Sequence, residues 1–232
     1  MMNRRFWCVA ASLLFATQSF TQEERTIGRE DFAIWAYYEF DYRLKKNTWL
    51  HYKNQYRLNE NVSRFDYSFF DVGLNQNIAP WLRVTGAYVF NIKNHWRDGV
   101  LYRHQLYANA KVHHRFGNFR IRSRNQIQTG VEDIFGPGEN TRGAFFYRQK
   151  LSLRWYFAKN WRVTGSGEAY FRLGARPTWE SQVYRQRYIL GLQHKLSPKE
   201  RLEVYYLYQS QIRQRRPDFI YVLGMGYTRS IR

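Results

Sequence analysis

The chain has 232 residues, with 37 Lys and Arg against 18 Asp and Glu, 19% aromatic residues, 5 Pro and 1 Cys. This composition excludes a disordered or low-complexity chain and a disulfide-stapled one, and the length suits one domain or one closed β structure. A mean hydropathy of -0.67 does not exclude a membrane protein, because alternating polar and apolar residues cancel in any averaging window.

The chain opens MMNRRFWCVAASLLFATQSFTQEE: two arginines, an apolar run from Phe6 to Ala16, then small and polar residues. This is the pattern of a secretory signal peptide over residues 1–21, with cleavage after Thr21 and a single domain over residues 22–232. The apolar run is shorter than the roughly 20 residues a spanning helix needs. Cys8 follows Arg5, Phe6 and Trp7, not the small residues of a lipoprotein signal, so the mature chain has neither disulfides nor thiolate metal sites. Losing Arg4 and Arg5 leaves the basic excess almost intact. In a cytoplasmic protein that charge would suggest nucleic acid; an export signal argues against such a partner.

From Asp31 onward the apolar period is two, and no later stretch of helical length keeps a 3.6 spacing. Eleven segments alternate, beginning near Phe32, Thr48, Phe65, Leu82, Val100, Phe119, Phe145, Trp161, Val183, Arg201 and Phe219. In the fifth, Val100, Tyr102, Leu106, Ala108, Ala110, Val112 and Phe116 oppose Arg103, Gln105, Asn109, Lys111, His113 and Arg115. In the sixth, Phe119, Ile121 and Ile127 oppose Arg120, Arg122, Arg124, Gln126 and Gln128; in the seventh, Leu151, Leu153 and Trp155 oppose Arg148, Lys150 and Arg154. Many segments run 11 to 15 residues. Strands of soluble sheets run about 5 to 6 residues and tilted membrane strands roughly 9 to 11, so length favours the membrane.

Aromatic residues bracket the apolar faces. Phe116, Phe119, Phe157, Trp81 and Trp161 stand beside tight turns as interface anchors, while Phe145, Tyr147, Phe171, Tyr184 and Tyr188 stand toward the opposite ends. The connections also alternate. Those after odd segments are tight (Lys45 to Asn47, Ala79-Pro80, Gly117-Asn118, Ala158 to Asn160, Ser197 to Glu200). Those after even ones are longer, notably Val131 to Gly143, Gly174 to Gln182 and Arg213 to Asp218. Short periplasmic turns and longer outer loops predict a closed antiparallel transmembrane β-barrel. The paired phrases PWLRVTG from Pro80 and NWRVTG from Asn160 each begin a strand after a tight turn, with Arg83 and Arg162 inward and Val84 and Val163 toward lipid. Gly86 and Gly165 share the lipid-facing parity, where a neighbouring ring has room to lie flat.

Eleven is odd, whereas bacterial single-chain barrels have even strand numbers. The expected count is therefore ten to twelve, with twelve preferred if Gln22 to Glu30 supplies a short edge strand.

The stretch WLHYKNQYRLNENVSRFDYSFFDVGLNQNIAPWLRVTGAYVF, Trp49 to Phe90, with Arg57, Asn59, Arg64, Asp66 and the run Asp71 to Leu74, and YRHQLYANA, Tyr102 to Ala110, resemble the domain of unknown function 2490 family of small outer-membrane β-barrels of Gram-negative bacteria. The resemblance implies a fold and a location, the cell outer membrane, and no activity. The chain departs from such barrels in ending GYTRSIR instead of on the aromatic residue read by the insertion machinery; Tyr227 stands a few residues upstream.

Parity fixes hairpin register, because lipid-facing residues must meet across a ladder. Pairing Phe157 with Trp161 aligns Lys150 with Glu168 and Arg148 with Tyr170. Pairing Leu196 with Leu202 aligns Lys195 with Glu203, and pairing Leu44 with Thr48 aligns Glu39 with Lys53 and Asp41 with His51. The acids neutralise part of a basic interior whose lining candidates are Arg83, Lys111, Arg120, Arg122, Arg124, Arg148, Lys150, Arg154, Glu168, Lys195 and Glu203. A wet basic lumen favours anions, and long side chains can equally fill a narrow barrel. The expected function is a narrow anion-leaning channel; the alternative is a closed barrel with an envelope-structural, adhesive or assembly role. A lipid-modifying hydrolase ranks last: His51 beside Asp41 resembles a base with its carboxylate, but no serine joins them and Ser152 faces Ser166. No catalytic set, metal site or cofactor is expected. The expected partners are outer-membrane lipid, lipopolysaccharide (Arg213, Arg215 and Arg216 facing its phosphates) and the insertion machinery. Glu132, Asp133 and Glu139 read as surface charge.

Overall fold

The computed structural model describes residues 29–95, 99–131, 145–173, 183–212 and 218–231. The expectations for the signal peptide, residues 22–28, Glu132, Asp133, Glu139 and the arginines at 213, 215 and 216 lie outside these residues. Eleven strands follow in chain order: β1 (Arg29–Lys45), β2 (Thr48–Asn59), β3 (Arg64–Ala79), β4 (Leu82–His95), β5 (Gly99–Phe116), β6 (Phe119–Val131), β7 (Phe145–Trp155), β8 (Trp161–Leu173), β9 (Arg185–Lys195), β10 (Glu200–Gln211) and β11 (Asp218–Ile231). Each pairs with its sequence neighbour in antiparallel fashion, and β1 pairs with β11 to close the barrel. Closure leaves no open edge, so the backbone polar groups of the strands are satisfied within the sheet, as hydrocarbon surroundings require.

The strand count falls inside the expected range, but the preference for twelve does not hold among the described residues. Arg29 to Tyr42 lie directly against Asp218 to Ile231 in a parallel ladder. The physical reason is parity: in a chain of hairpins, an odd number of strands makes the first and last run the same way. Their like ends therefore meet. The start of β1 stands at the long-loop end of the barrel, and β11 finishes at the short-turn end.

The registers confirm the alternation. Outward residues such as Ile78 and Leu190, each 61% exposed, Met225, Leu106, Val204 and Ile127 form an apolar outer surface. A surface of this kind suits a bilayer and not water. Two of the three expected hairpin alignments are observed: Lys150 pairs with Glu168 and Arg148 with Tyr170, and Glu39 pairs with Lys53 and Asp41 with His51. The third is two residues out. Lys195 pairs with Arg201, and Glu203 with Gln193. The cause is a tighter turn, in which the Glu200 N–H donates to the Ser197 carbonyl (3.3 Å) and the Leu196 N–H to the Glu200 carbonyl (3.1 Å).

Two further expectations change. No ring lies over Gly86 or Gly165, where a Cβ would meet nothing within 4 Å. The rings lie inside instead: a Cβ on Gly224 would run into Tyr205, and one on Gly226 into Tyr37. Tyr184 faces the interior, with its ring against Tyr170 (6.1 Å) and Phe146 (5.8 Å). It precedes β9, so strand alternation does not govern it. The β2–β3 connection is also short, and Glu60, Asn61 and Val62 all take positive φ (55°, 54° and 69°). Such backbone is unfavourable, above all for a β-branched residue. The Asp31 carboxylate holds it by accepting the N–H groups of Glu60 (3.1 Å) and Asn61 (2.9 Å).

The parallel seam has a direct test. Cysteines replacing Ala36 and Met225, outward-facing register partners, are expected to form a disulfide on mild oxidation. A strand inserted between β1 and β11 would separate them by roughly 9 to 10 Å, beyond disulfide reach, and failure to cross-link in a folded barrel would contradict the seam.

Candidate functional site

The interior is organised by rows that follow the hydrogen bonds from strand to strand. One row reads Arg83, Lys111, Arg124, Lys150, Glu168, Arg187 and Gln209, one residue from each of β4 to β10. Because barrel strands tilt, the row climbs. It begins beside the tight β3–β4 turn at Arg83 and reaches Arg187, which lines a cavity at the long-loop end. Five cations share this row with the single carboxylate of Glu168.

Glu168 is the electrostatic centre. Its side chain is 3% exposed, and its Oε1 accepts from Arg124 Nη2 (2.5 Å) and Arg148 Nε (2.9 Å). Arg148 Nη2 also donates to the Tyr170 hydroxyl (2.9 Å), which accepts a second bond from Arg187. Breaking such a node leaves buried charge uncompensated, a cost of about 3–5 kcal/mol.

The remaining candidates are less tied. Arg83 Nε donates to Asn77 Oδ1 (2.8 Å) and Arg154 Nε to Thr164 Oγ1 (3.2 Å). Arg115, Arg120 and Arg162 stand 5.3, 5.7 and 5.9 Å from the Tyr156 ring near the short-turn end. Arg122 occupies the inner parity between Arg120 and Arg124, across from Ser152. Glu203 accepts from the Tyr37 hydroxyl, and Lys195 is exposed at the rim.

Part of the remaining interior is apolar, which the sequence reading missed. Ala33 and Trp35 of β1, Tyr205 and Leu207 of β10, and Val222 of β11 form a buried inner cluster. Two contacts bridge strands that are not neighbours. Arg187 of β9 lies 5.4 Å from the Trp35 ring, whose centroid is also 4.0 Å from the guanidinium of Arg57 on β2. Gln55 Nε2 of β2 donates to the Tyr205 hydroxyl (3.4 Å). The glycines at 224 and 226, set among aromatic residues, were the available signal for rings packed inward.

The ligand atoms of Glu39, Asp41 and His51 lie within 4.8 Å of one another, and His51 Nδ1 is 3.0 Å from Asp41 Oδ1. The Asp–His pair matches the sequence reading; the third member is new, and follows from Glu39 standing two residues before Asp41 on the same face. Ser230 is the register partner of Asp41 and Gly73 that of His51. A serine on the carboxylate side of the pair is in the wrong order for a nucleophile–base–carboxylate relay. Ser152 pairs with Ser166, as expected.

The expected anchors form a row at the short-turn end. Phe116 stacks on Phe119 (5.7 Å), Phe119 on Trp155 (6.3 Å), and Trp155 lies 5.5 Å from Phe157. Trp161 lies against His194 (4.2 Å), and Trp81 is exposed in the β3–β4 turn. Phe90 with Tyr102 (5.9 Å) and Tyr188 with Tyr208 (6.5 Å) stack toward the other end.

The family described as "Protein of unknown function (DUF2490)" matches residues 32–219. The chain belongs to this family. Among solved structures it is similar to one titled "KdgM porin", with 8% identity and a TM-score of 0.43, over 77% of this chain and 83% of that chain. No curated protein matches it.

In this DUF2490 barrel, Glu168→Gln is expected to lower urea stability in lipid vesicles by about 3 kcal/mol, because Arg124, Arg148 and Lys150 lose their shared counter-charge. Adding Arg124→Gln is expected to restore part of the loss. A change within about 0.5 kcal/mol, typical of an unconnected surface site, would remove Glu168 from its central place.

Proposed function

We propose that the protein is an integral barrel of the outer membrane, exported by a cleaved signal peptide, that forms a narrow path favouring small anions. One observation carries this reading. The row from Arg83 through Lys111, Arg124 and Lys150 to Arg187 joins the short-turn end to the outer cavity with one acidic residue along it. Closely spaced fixed cations lower the energy of an anion at each step and raise that of a cation, and neighbouring sites let the ion move on. The apolar surface and aromatic rows support contact with lipid. Lipopolysaccharide and the insertion machinery are the partners such a location supplies.

A second reading has its own support. The Arg57–Trp35–Arg187 contact and the inner cluster around Leu207 narrow the lumen, which favours a closed barrel acting through its outer loops.

Planar-bilayer recordings separate the two. The channel reading gives discrete conductance with reversal potentials favouring chloride over potassium. Lys111→Gln with Lys150→Gln is expected to weaken that preference. Correct insertion without conductance would reject the channel and leave the closed barrel.

A further inference from the structure

We propose that the cavity at the long-loop end is a receptor for a sugar-sized, hydroxylated oxyanion bearing a carboxylate or a phosphate. This extends the anion reading from passage to binding, and it stands without conduction. The cavity encloses about 750 Å³, within the usual range for small-molecule sites. Arg57, Arg103, Arg185 and Arg187 line it from β2, β5 and β9.

None of the four has a carboxylate within 4.0 Å among the described residues. Three of the four acids that line the cavity are directed elsewhere. Asp31 accepts the Glu60 and Asn61 N–H groups, Asp66 accepts from Asn59 Nδ2 (3.1 Å), and Glu60 pairs with Arg64 (3.3 Å). Asp218, the remaining one, stands at the start of β11.

Three of the four guanidiniums are also held in place before any ligand arrives, while Arg103 is exposed. Arg57 lies 4.0 Å over Trp35 and 4.6 Å over Tyr67, and Arg187 lies 4.9 Å from Tyr170. Arg185 lies 5.5 Å from Tyr184. Their remaining bonds go to neutral acceptors, Arg57 to Gln55 Oε1 (2.9 Å) and Arg187 to Gln209 Oε1 (2.6 Å). Stacked, planar forks without a counter-ion are suited to bidentate binding of a carboxylate or phosphate. Two of them converge on the single ring of Trp35, a like-charge approach that a bound anion relieves.

The need for a hydroxylated body comes from the rest of the wall. The arginines approach from three strands, so a bare ion meets only part of the set. The same wall carries the amides of Asn59, Asn94, Gln105 and Gln211, a group that both donates to and accepts from hydroxyls. Trp35 Nε1, Asn59 Oδ1 and Arg185 Nε, on three lining residues, are buried without hydrogen-bond partners among the described residues.

The test uses the purified full barrel in detergent micelles, with calorimetric titration of four probes: glucuronate, glucose 6-phosphate, glucose and inorganic phosphate. Binding of either sugar acid with none of glucose is expected, and which acid binds identifies carboxylate or phosphate as the preferred group. Inorganic phosphate alone is expected to bind at least roughly tenfold more weakly. Arg103→Gln and Arg187→Gln should each weaken the sugar acid by roughly tenfold, with Arg201→Gln at the other end as an unaffected control. Retained heat-dependent gel mobility verifies folding of each variant. No binding of either acid, equal binding of glucose, phosphate as tight as the sugar acids, or unchanged affinity in both arginine variants would overturn the proposal. Binding in micelles together with absent conductance would reject the channel reading alone.

Discussion

A strand that crosses a bilayer as part of a closed barrel meets two solvents, and everything else in this structure depends on that. Side chains of one parity meet hydrocarbon, those of the other meet the lumen, and the backbone between them has no water to bond to. The first demand selects Leu, Val and aromatic residues for one face, as in Leu151, Leu153 and Trp155. The second permits Arg148, Lys150 and Arg154 on the other. The third requires closure. Eleven strands close only by setting β1 parallel to β11.

Closure also determines the electrostatics. Once registers are fixed, the basic residues of separate strands fall into a climbing row, and Glu168 becomes the counter-charge for several of them. Tyr170 extends this node by receiving Arg148 and Arg187, and elsewhere in the interior Tyr107 donates to Asp71 (2.9 Å). On the opposite wall, glycines 224 and 226 admit the rings of Tyr205 and Tyr37, and the inner face becomes apolar. The interior therefore has a basic side along β4 to β9 and an apolar patch where β10, β11 and β1 meet.

Much of this was legible in the sequence because hairpin partners are sequence neighbours. Alternation gave the strands and their faces, and tight turns gave the pairings of Lys150 with Glu168 and of Asp41 with His51. The Lys195–Glu203 pairing failed on one local detail, the Ser197–Glu200 hydrogen bond that shortens the turn. Strand count was less legible, since β1 meets β11 across nearly the whole chain and no local pattern encodes that contact. The basic row was hidden for a related reason: its members are recognisable one by one, but their succession needs every register from β4 to β10 at once. The inner apolar cluster was missed because its members come from β1, β10 and β11, and their meeting depends on the same β1–β11 closure.

The most direct test of the two-solvent account is a nitroxide scan of β7. Spin labels placed singly from Phe145 to Trp155 in lipid vesicles should show oxygen accessibility, a marker of hydrocarbon, peaking at Phe145, Tyr147, Leu151, Leu153 and Trp155. Accessibility to a polar nickel chelate should be higher at Phe146, Arg148, Lys150, Ser152 and Arg154. Accessibilities without this period of two, or with the two sets exchanged, would contradict the account.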